Sequence, residues 1–321
     1  MSAILEFELG SKIATREAYG QTLAALAEQF PNLVVLDADL SGSTQTKKFA
    51  AVAPERFINC GIAEQDMIGV ASGLSTCGKI PFCSSFAVFA SGRAFEQIRN
   101  SVCYGKLNVK IAATHAGVTV GEDGGTHQAV ADIAIMRTLP GMTVIVPADA
   151  TETAWAVRAA AEHQGPVYLR LGRLATPVLY PANTEFTWGK GQLLRPGSDL
   201  AIFACGMMVN AALEAAELLA AEGVKAAVAD VHTIKPLDTE LISSLATRCG
   251  AAMTVEEGTV IGGLGSAVAE VIAERRIHTA FARVGLEDTF GQSGSPAALL
   301  KLYGLDPEAI ANRAKAVLAH K

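Results

Sequence analysis

The sequence has no concentration of positive charge. Its 321 residues include 26 Lys and Arg against 32 Asp and Glu, which gives a formal net charge of −6, and no basic run occurs along the chain. A protein that binds a nucleic-acid backbone needs a basic field to replace the counterions of the phosphates. The charge balance therefore argues against a nucleic-acid-binding function.

Regular cysteine spacing and long apolar runs are also missing. The six cysteines are scattered without a CxxC pair, which argues against a zinc ribbon or a disulfide framework. No segment approaches the length of apolar residues that crosses a membrane, and the first residues lack the apolar core of a signal peptide. We therefore expect a soluble cytoplasmic protein with reduced, mostly buried thiols.

The residues that are present favour a compact α/β protein. Hydrophobic residues make up 50% of the chain and there are 30 glycines, whereas aromatic residues make up only 6%. Short β-branched runs alternate with Ala-rich segments of helical period, which is typical of βα units around a parallel sheet. Strands are predicted at 33–38, 80–84, 109–114, 143–147 and 167–171, and helices at 16–29, 64–77, 91–104 and 151–163.

The pattern is interrupted once. After Arg173 the chain becomes rich in Pro, Gly, Thr and Asn and loses both periodicities. A second α/β series follows, with strands predicted at 200–204, 226–230, 253–256 and 280–284 and helices at 209–222, 239–248 and 263–274. We predict two doubly wound α/β domains with mainly parallel sheets, at 1–178 and 194–321, joined by a linker at 179–193.

Two segments of the first domain carry more polar residues than a scaffold needs. In NCGIAEQDM, Glu64 opens a predicted helix whose Met67, Ile68 and Ala71 form an apolar face. Taken alone, this carboxylate could simply complement the helix dipole. The second segment, 113–130, places two histidines, two acids and several glycines directly after a strand, as ligand-binding loops at the carboxyl edge of parallel sheets do.

Together, three motifs resemble those of the transketolase and deoxyxylulose-phosphate synthase family. GIAEQDM is similar to the glutamate motif of that family, THAGVTVGEDGGTHQ to its histidine loop, and GPVYLRLGR to its strand that ends in an arginine. The resemblance covers nearly the whole chain, as the pyrimidine-binding domain followed by the C-terminal domain. The GDG and downstream Asn with which the family binds magnesium and diphosphate are missing, the nearest match being the EDGG at 122–125.

The resemblance implies a role for the cofactor-facing residues. Glu64 would hydrogen-bond N1′ of the aminopyrimidine of thiamine diphosphate, and Phe86 and Phe89 would pack on that ring. Asp39 would contact the cofactor across a subunit interface. The next aromatic residue of the family aligns with Gly92, so part of the stacking wall is absent. Mg²⁺ and the diphosphate would be held by a partner, and no metal ligand is expected in this chain.

The same resemblance also implies a sugar-phosphate site. Residues at the positions that hold the substrate phosphate are Arg16, Ser43, His115 and Arg173, a set whose guanidinium groups and hydroxyl suit a dianion. Asp123 and His127 would position the sugar hydroxyls and assist proton transfer. The expected activity is transfer of a two-carbon ketol unit from a ketose phosphate to an aldose, by a C-terminal subunit that works with a separate N-terminal chain in a heterotetramer.

Three other interpretations remain open. The beta subunit of a 2-oxo-acid dehydrogenase decarboxylase has this length and a comparable glutamate, but its substrate carries no phosphate. Deoxyxylulose-phosphate synthase shares both the phosphate set and the histidine loop, but it is normally a single chain. A non-catalytic interaction subunit would not need Glu64, Asp123 or the two histidines, which are all present.

Overall fold

The computed structural model describes residues 5–321. Its strands are β1 (Lys12–Ala14), β2 (Leu33–Asp37), β3 (Phe57–Asn59), β4 (Ile80–Phe86), β5 (Lys110–Thr114), β6 (Thr143–Ile145), β7 (Val167–Arg170), β8 (Ala175–Pro177), β9 (Gln192–Arg195), β10 (Leu200–Ala204), β11 (Ala226–Asp230), β12 (Thr233–Lys235), β13 (Ala251–Thr259) and β14 (Ala280–Leu286).

The α-helices are α1 (Thr15–Leu26), α2 (Ser41–Thr44), α3 (Lys47–Val52), α4 (Glu64–Thr76), α5 (Phe95–Gln97), α6 (Asp132–Arg137), α7 (Ala150–Glu162), α8 (Met208–Ala221), α9 (Thr239–Cys249), α10 (Leu264–Glu274), α11 (Pro296–Leu302) and α12 (Pro307–Leu318). Within residues 5–321, none of these helices is both long and apolar enough to cross a membrane.

The first half of the chain forms a seven-stranded sheet in the order β12-β6-β7-β5-β4-β2-β3. All of its pairs are parallel except that of β12 with β6. The chain runs from β2 outward to β3 and then returns to β4 on the other side of β2. Such a reversal of strand order opens a crevice at the carboxyl ends of the strands, where α/β proteins bind their ligands.

The second half forms a five-stranded sheet in the order β14-β13-β10-β11-β9, in which only β9 is antiparallel to its neighbour. The strands β10 and β11 are fully buried and read as continuous apolar runs, as expected for strands covered by helices on both faces. The prediction of two α/β domains with mainly parallel sheets is confirmed.

The sequence prediction omitted two C-terminal helices, α11 and the regular twelve-residue α12, and the other elements that differ from it are short or irregular. The helix predicted at 91–104 begins at Phe89 and contains two π-helical stretches, Phe89–Arg93 and Ile98–Tyr104. Each π-helical stretch takes an extra residue into its turn and so changes the face on which the following side chains lie, and no residue type in the sequence marks that insertion. The short strands and helices that the prediction omitted, such as β3 and α2, are too brief to show a period.

One strand from the second half of the chain belongs to the first sheet. β12 belongs to the second half by sequence but pairs with β6 at the edge of the first sheet. Next to this crossing lies a fully buried polar cluster in which the Tyr180 hydroxyl donates to Asp230 Oδ2 at 2.7 Å, and Glu152 Oε1 lies 4.0 Å from His232 Nε2. The interface between the halves is therefore partly polar.

Candidate active site

The polar residues singled out in the sequence follow the carboxyl ends of neighbouring parallel strands. Asp39 and Ser43 follow β2, Glu64 follows β3, Phe86 ends β4 and precedes Phe89, His115, Asp123 and His127 follow β5, and Arg173 follows β7. Arg16 joins them from the first turn of α1, where its Nη1 donates to the Ser43 carbonyl at 2.7 Å. Because parallel strands end at one edge of a sheet, the topology collects these side chains there.

Glu64 lies at the start of α4 with its side chain turned inward. The residue is 1% exposed. Its two carboxylate oxygens are both paired: the Ser85 hydroxyl donates to Oε1 at 3.0 Å and Arg93 Nη1 donates to Oε2 at 2.8 Å. A buried carboxylate held in this way is fixed in position and can exchange a proton or a hydrogen bond with a ligand.

Arg93 is a site residue that the sequence reasoning missed. Besides pairing with Glu64, its guanidinium carbon lies 4.5 Å from the centre of the Phe89 ring. This arrangement is a cation–π contact on the aromatic face predicted to receive a ligand. No sequence pattern identifies this residue, because the π-helical stretch between Phe89 and Arg93 shifts Arg93 from the face that an ordinary helix would give it.

The two phenylalanines of the predicted aromatic wall have different neighbours. Phe86 is buried and stacks on the His115 ring with 3.8 Å between ring centres. Phe89 is only half-buried, lies parallel to Phe86 at 6.1 Å and meets the edge of the His127 ring at 5.4 Å. Phe89 is therefore the ring better placed to meet a ligand, whereas Phe86 supports His115.

His115 is held in a strained and electropositive position. Its backbone has φ +56°, a value that non-glycine residues seldom adopt, and Thr114 Oγ1 lies 2.9 Å from its Nδ1. Burial, and then the positive charges of Arg16 and Arg173, lower the pKa of His115 to about 3. The imidazole is therefore neutral at physiological pH and presents one donor and one acceptor.

Two guanidinium groups form the basic part of the site. The pKa of Arg16 is lowered by burial and then by the charge of Arg173, so the two cations lie close enough to repel. Arg173 Nη1 donates to the Val120 carbonyl and lies 3.7 Å from Asp123 Oδ2. Two adjacent cations, with the carboxylates of Asp123 and Glu17 beside them, form a place where an anion would bind.

Asp39 lies at the outer rim of this edge. It is exposed, adopts φ +62° and accepts a hydrogen bond from Asn59 Nδ2 at 2.9 Å. Its carboxylate is therefore open to solvent, unlike the buried carboxylate of Glu64. Within residues 5–321, no group of three or more His, Cys, Asp and Glu side chains is arranged to hold a metal ion.

Two family models match the chain in the order of its two sheets. The transketolase pyrimidine-binding domain matches residues 11–178, and the transketolase C-terminal domain matches residues 189–310. The chain therefore belongs to the transketolase family. The exact ends of the domains and the linker at 179–193 remain predictions.

Similar proteins are both split and full-length transketolases. A solved structure of a split gene transketolase, described as an inactive beta4 tetramer, is 54% identical, with a TM-score of 0.89 over 96% of this chain and 99% of that one. The 6-deoxy-6-sulfo-D-fructose transketolase subunit of Clostridium sp. is 44% identical over 95% of each chain. Human transketolase is 38% identical over 99% of this chain but only 51% of its own length.

Proposed function

We propose that this chain is the C-terminal subunit of a split, thiamine-diphosphate-dependent transketolase that transfers a two-carbon ketol unit from a ketose phosphate to an aldose. The observation that carries the proposal is the buried Glu64 carboxylate beside the Phe89 ring, at the strand edge where two arginines also meet. Similarity to relatives of the same length that are named as split transketolases or transketolase subunits supports the two-chain arrangement.

The residues fit the pyrimidine half of the cofactor. Glu64 would face the ring nitrogen, in place of its present contact with Arg93, and Phe89 would pack on the ring face. The cofactor, when bound, supplies a nucleophilic carbon that takes up the two-carbon unit. Mg²⁺ and the diphosphate would be held mainly by an N-terminal subunit that carries the GDG motif, which this sequence lacks.

The chain's other site residues would handle the sugar phosphate. Arg16 and Arg173, with Ser43 and the neutral His115, would bind the phosphate. Asp123 and His127 would contact the sugar hydroxyls and move protons as the carbon–carbon bond breaks and forms. Asp39, at the rim, would approach the cofactor from its side of the subunit interface.

The proposed assembly is a heterotetramer of two N-terminal and two C-terminal subunits. The beta4 tetramer described for the similar split transketolase is inactive, which fits a subunit that needs another chain for catalysis. The unphosphorylated, sulfonated sugar in the name of the Clostridium relative indicates that the same basic site in this chain could take a sulfonate in place of a phosphate.

A reconstitution assay tests the proposal. The purified chain is assayed for ketol transfer from xylulose 5-phosphate to ribose 5-phosphate, with thiamine diphosphate and Mg²⁺, alone and with a separately purified N-terminal subunit that carries the GDG motif. We expect turnover only in the mixture. Conversion of a 2-oxo acid by the mixture, with no ketol transfer from any ketose phosphate or sulfonate, would favour the dehydrogenase alternative and refute the proposal.

A further inference from the structure

The loop that carries His115, Asp123 and His127 is held in place by the second half of the chain. Glu257, near the end of β13, is 4% exposed and its Oε1 accepts a hydrogen bond from the Thr119 amide at 2.7 Å. This contact joins residues 138 positions apart in the sequence. It anchors the loop a few residues beyond His115.

Gly117 lies directly against the Glu257 side chain. A Cβ atom at Gly117 would lie 2.2 Å from the Glu257 carboxyl carbon, and Gly117 has φ +80°, so only glycine fits this position without strain. The carboxylate therefore occupies the space that a side chain would otherwise fill. The loop backbone and Glu257 are complementary in shape as well as in hydrogen bonding.

Arg170 closes the base of the same loop. Its buried guanidinium donates to the Ala129 carbonyl at 3.2 Å, to the Glu257 carbonyl at 2.8 Å and to Asp132 Oδ2 at 2.8 Å. Glu257 and Arg170 thus hold the two sides of the loop base, near Thr119 and Ala129. The carboxylates of Asp132 and Glu257 in turn stabilise the buried positive charge of Arg170.

The tip of the loop packs against another segment of the second half. A Cβ at Gly125 would lie 2.6 Å from the Gly291 carbonyl oxygen, and one at Gly124 would lie 2.5 Å from Ser293 Oγ. Gln128 Nε2 donates to the Gln292 carbonyl at 3.0 Å. These glycines serve close contact within the chain, whereas the sequence pattern had suggested only a loop open to a ligand.

We propose that Glu257 is a positioning residue for transketolase chemistry, acting through the Thr119 amide to fix the loop that carries the three polar side chains. This inference rests on the function proposed above. It gives the second domain a role in positioning the active-site loop. Small displacements of catalytic groups are costly, a shift of about 1 Å lowering rates by roughly 100-fold.

Glu256 provides a matched control because it is an equally buried acid on the same strand. Neighbouring strand residues point to opposite faces, and the Glu256 carboxylate accepts from the Leu264 and Gly265 amides at 2.8 and 2.7 Å, at the start of α10. Both glutamates therefore satisfy backbone amides in a protein interior. Only Glu257 does so on the histidine loop.

Amide hydrogen exchange of the free chain tests the contact between Glu257 and the Thr119 amide, and it needs no cofactor, partner chain or activity assay. In Glu257→Ala the peptide containing Thr119 should exchange at least about tenfold faster, while the peptide at the start of α10 stays unchanged. Glu256→Ala should give the reverse pattern. A folded Glu257→Ala chain with unaltered exchange at Thr119 would overturn the inference.

Kinetics of the reconstituted enzyme test the consequence. Glu257→Ala should lower kcat/KM for ketol transfer by roughly 10- to 100-fold, whereas Glu257→Gln, whose amide oxygen can still accept from Thr119, should stay within about threefold of the wild type. Equal losses in both variants, or full activity in Glu257→Ala, would contradict the positioning role. If the wild-type chain shows no ketol transfer with its N-terminal subunit, the proposed function fails. The hydrogen-exchange experiment still decides whether Glu257 holds the loop at Thr119.

Discussion

The two domains share an architecture but use the carboxyl edges of their sheets differently. In the first domain, the side chains that follow β3, β5 and β7 include Glu64, His115 and Arg173, and they converge on one site. In the second domain, the acids at the ends of β11 and β13, Asp230 and Glu256, are directed at other groups of the same chain. Polar residues therefore occur at the carboxyl edge of both sheets. Whether such an edge forms a ligand site depends on whether their side chains converge or hydrogen-bond to other groups of the chain.

The largest expected effect is at the buried carboxylate of the first edge. Replacing Glu64 by Ala should lower kcat of the reconstituted enzyme by roughly 100- to 10,000-fold, because the acid–base partner of the cofactor ring is lost. Glu64→Gln should be similarly impaired, since it keeps the shape and loses the exchangeable proton. Glu55→Ala, at an exposed acid, is the control. An undiminished rate in Glu64→Ala would contradict a catalytic role for the carboxyl edge of the first sheet.

Loss of a substrate-binding cation should have the next largest effect. Arg173→Ala should raise the KM for the donor sugar phosphate by about 10- to 100-fold, the loss expected for one charge-assisted hydrogen bond. Arg275→Ala, which removes an exposed ion pair with Glu240 on the second domain, should leave that KM unchanged. Steady-state kinetics at varied donor concentration measure both. An unchanged KM in Arg173→Ala would speak against the phosphate site.

A smaller effect concerns the stability of the free chain. Arg93→Ala leaves the buried Glu64 carboxylate without its cationic partner, so the free energy of unfolding should fall by about 1–2 kcal/mol, less than for a fully buried pair because Arg93 is half exposed. Arg99→Ala breaks only an exposed, solvent-screened pair with Glu96 nearby and should leave the free energy of unfolding nearly unchanged. Urea denaturation compares the two variants. Equal changes in the free energy of unfolding would mean that the ion pair of Arg93 with Glu64 stabilises the chain no more than an exposed pair does.

The buried acid Asp230 of the second domain should make the free energy of unfolding depend on pH. Burial raises the pKa of Asp230 to about 7, so the folded chain keeps a proton that the unfolded chain releases in acid. The associated stability is complete below the unfolded pKa and is lost as the pH rises through about 7. The buried His232, whose pKa is lowered to about 4, titrates below this range.

Asp230 should contribute on the order of 1 kcal/mol to the loss of unfolding free energy between pH 6 and pH 8, from the usual equivalence of about 1.4 kcal/mol per unit of pKa. Glu256, whose pKa burial also raises to about 7, adds to the loss. Asp230→Asn should lose less over the same interval, whereas Glu214→Gln, at an exposed acid of the same domain, should follow the wild type. Urea denaturation at the two pH values measures this. Identical pH dependence in Asp230→Asn and the wild type would rule out Asp230 as the source.

Most of the regular fold could be predicted from the sequence. Strands such as β10 and β11 lie at the predicted residues, since long apolar runs and Ala-rich helices leave a clear period. The exchanged strand β12 could not be predicted, because three residues carry no pattern and its partner β6 lies in the other half of the chain. The π-helical stretch at Phe89 was hidden for a similar reason.

The site was predictable where the side chain itself carries chemistry and follows a strand, as with Glu64 and His115. Contacts set by the packing of distant segments were not. The pairing of Arg93 with Glu64 depends on a π-helical stretch, and the contact of Glu257 with Thr119 depends on how two domains meet. Neither distance along the chain nor residue type signals such a contact before the fold is known.

The most direct test of the central claim, that the active site is completed only between two chains, is the binding of thiamine diphosphate. Isothermal titration in the presence of Mg²⁺ compares the chain alone, the N-terminal subunit alone and an equimolar mixture. Tight binding in the mixture, weakened at least about tenfold in each single chain and in a mixture containing Glu64→Ala, is the result we predict. Equally tight binding by this chain alone, with ketol transfer in the absence of a partner, would contradict the account.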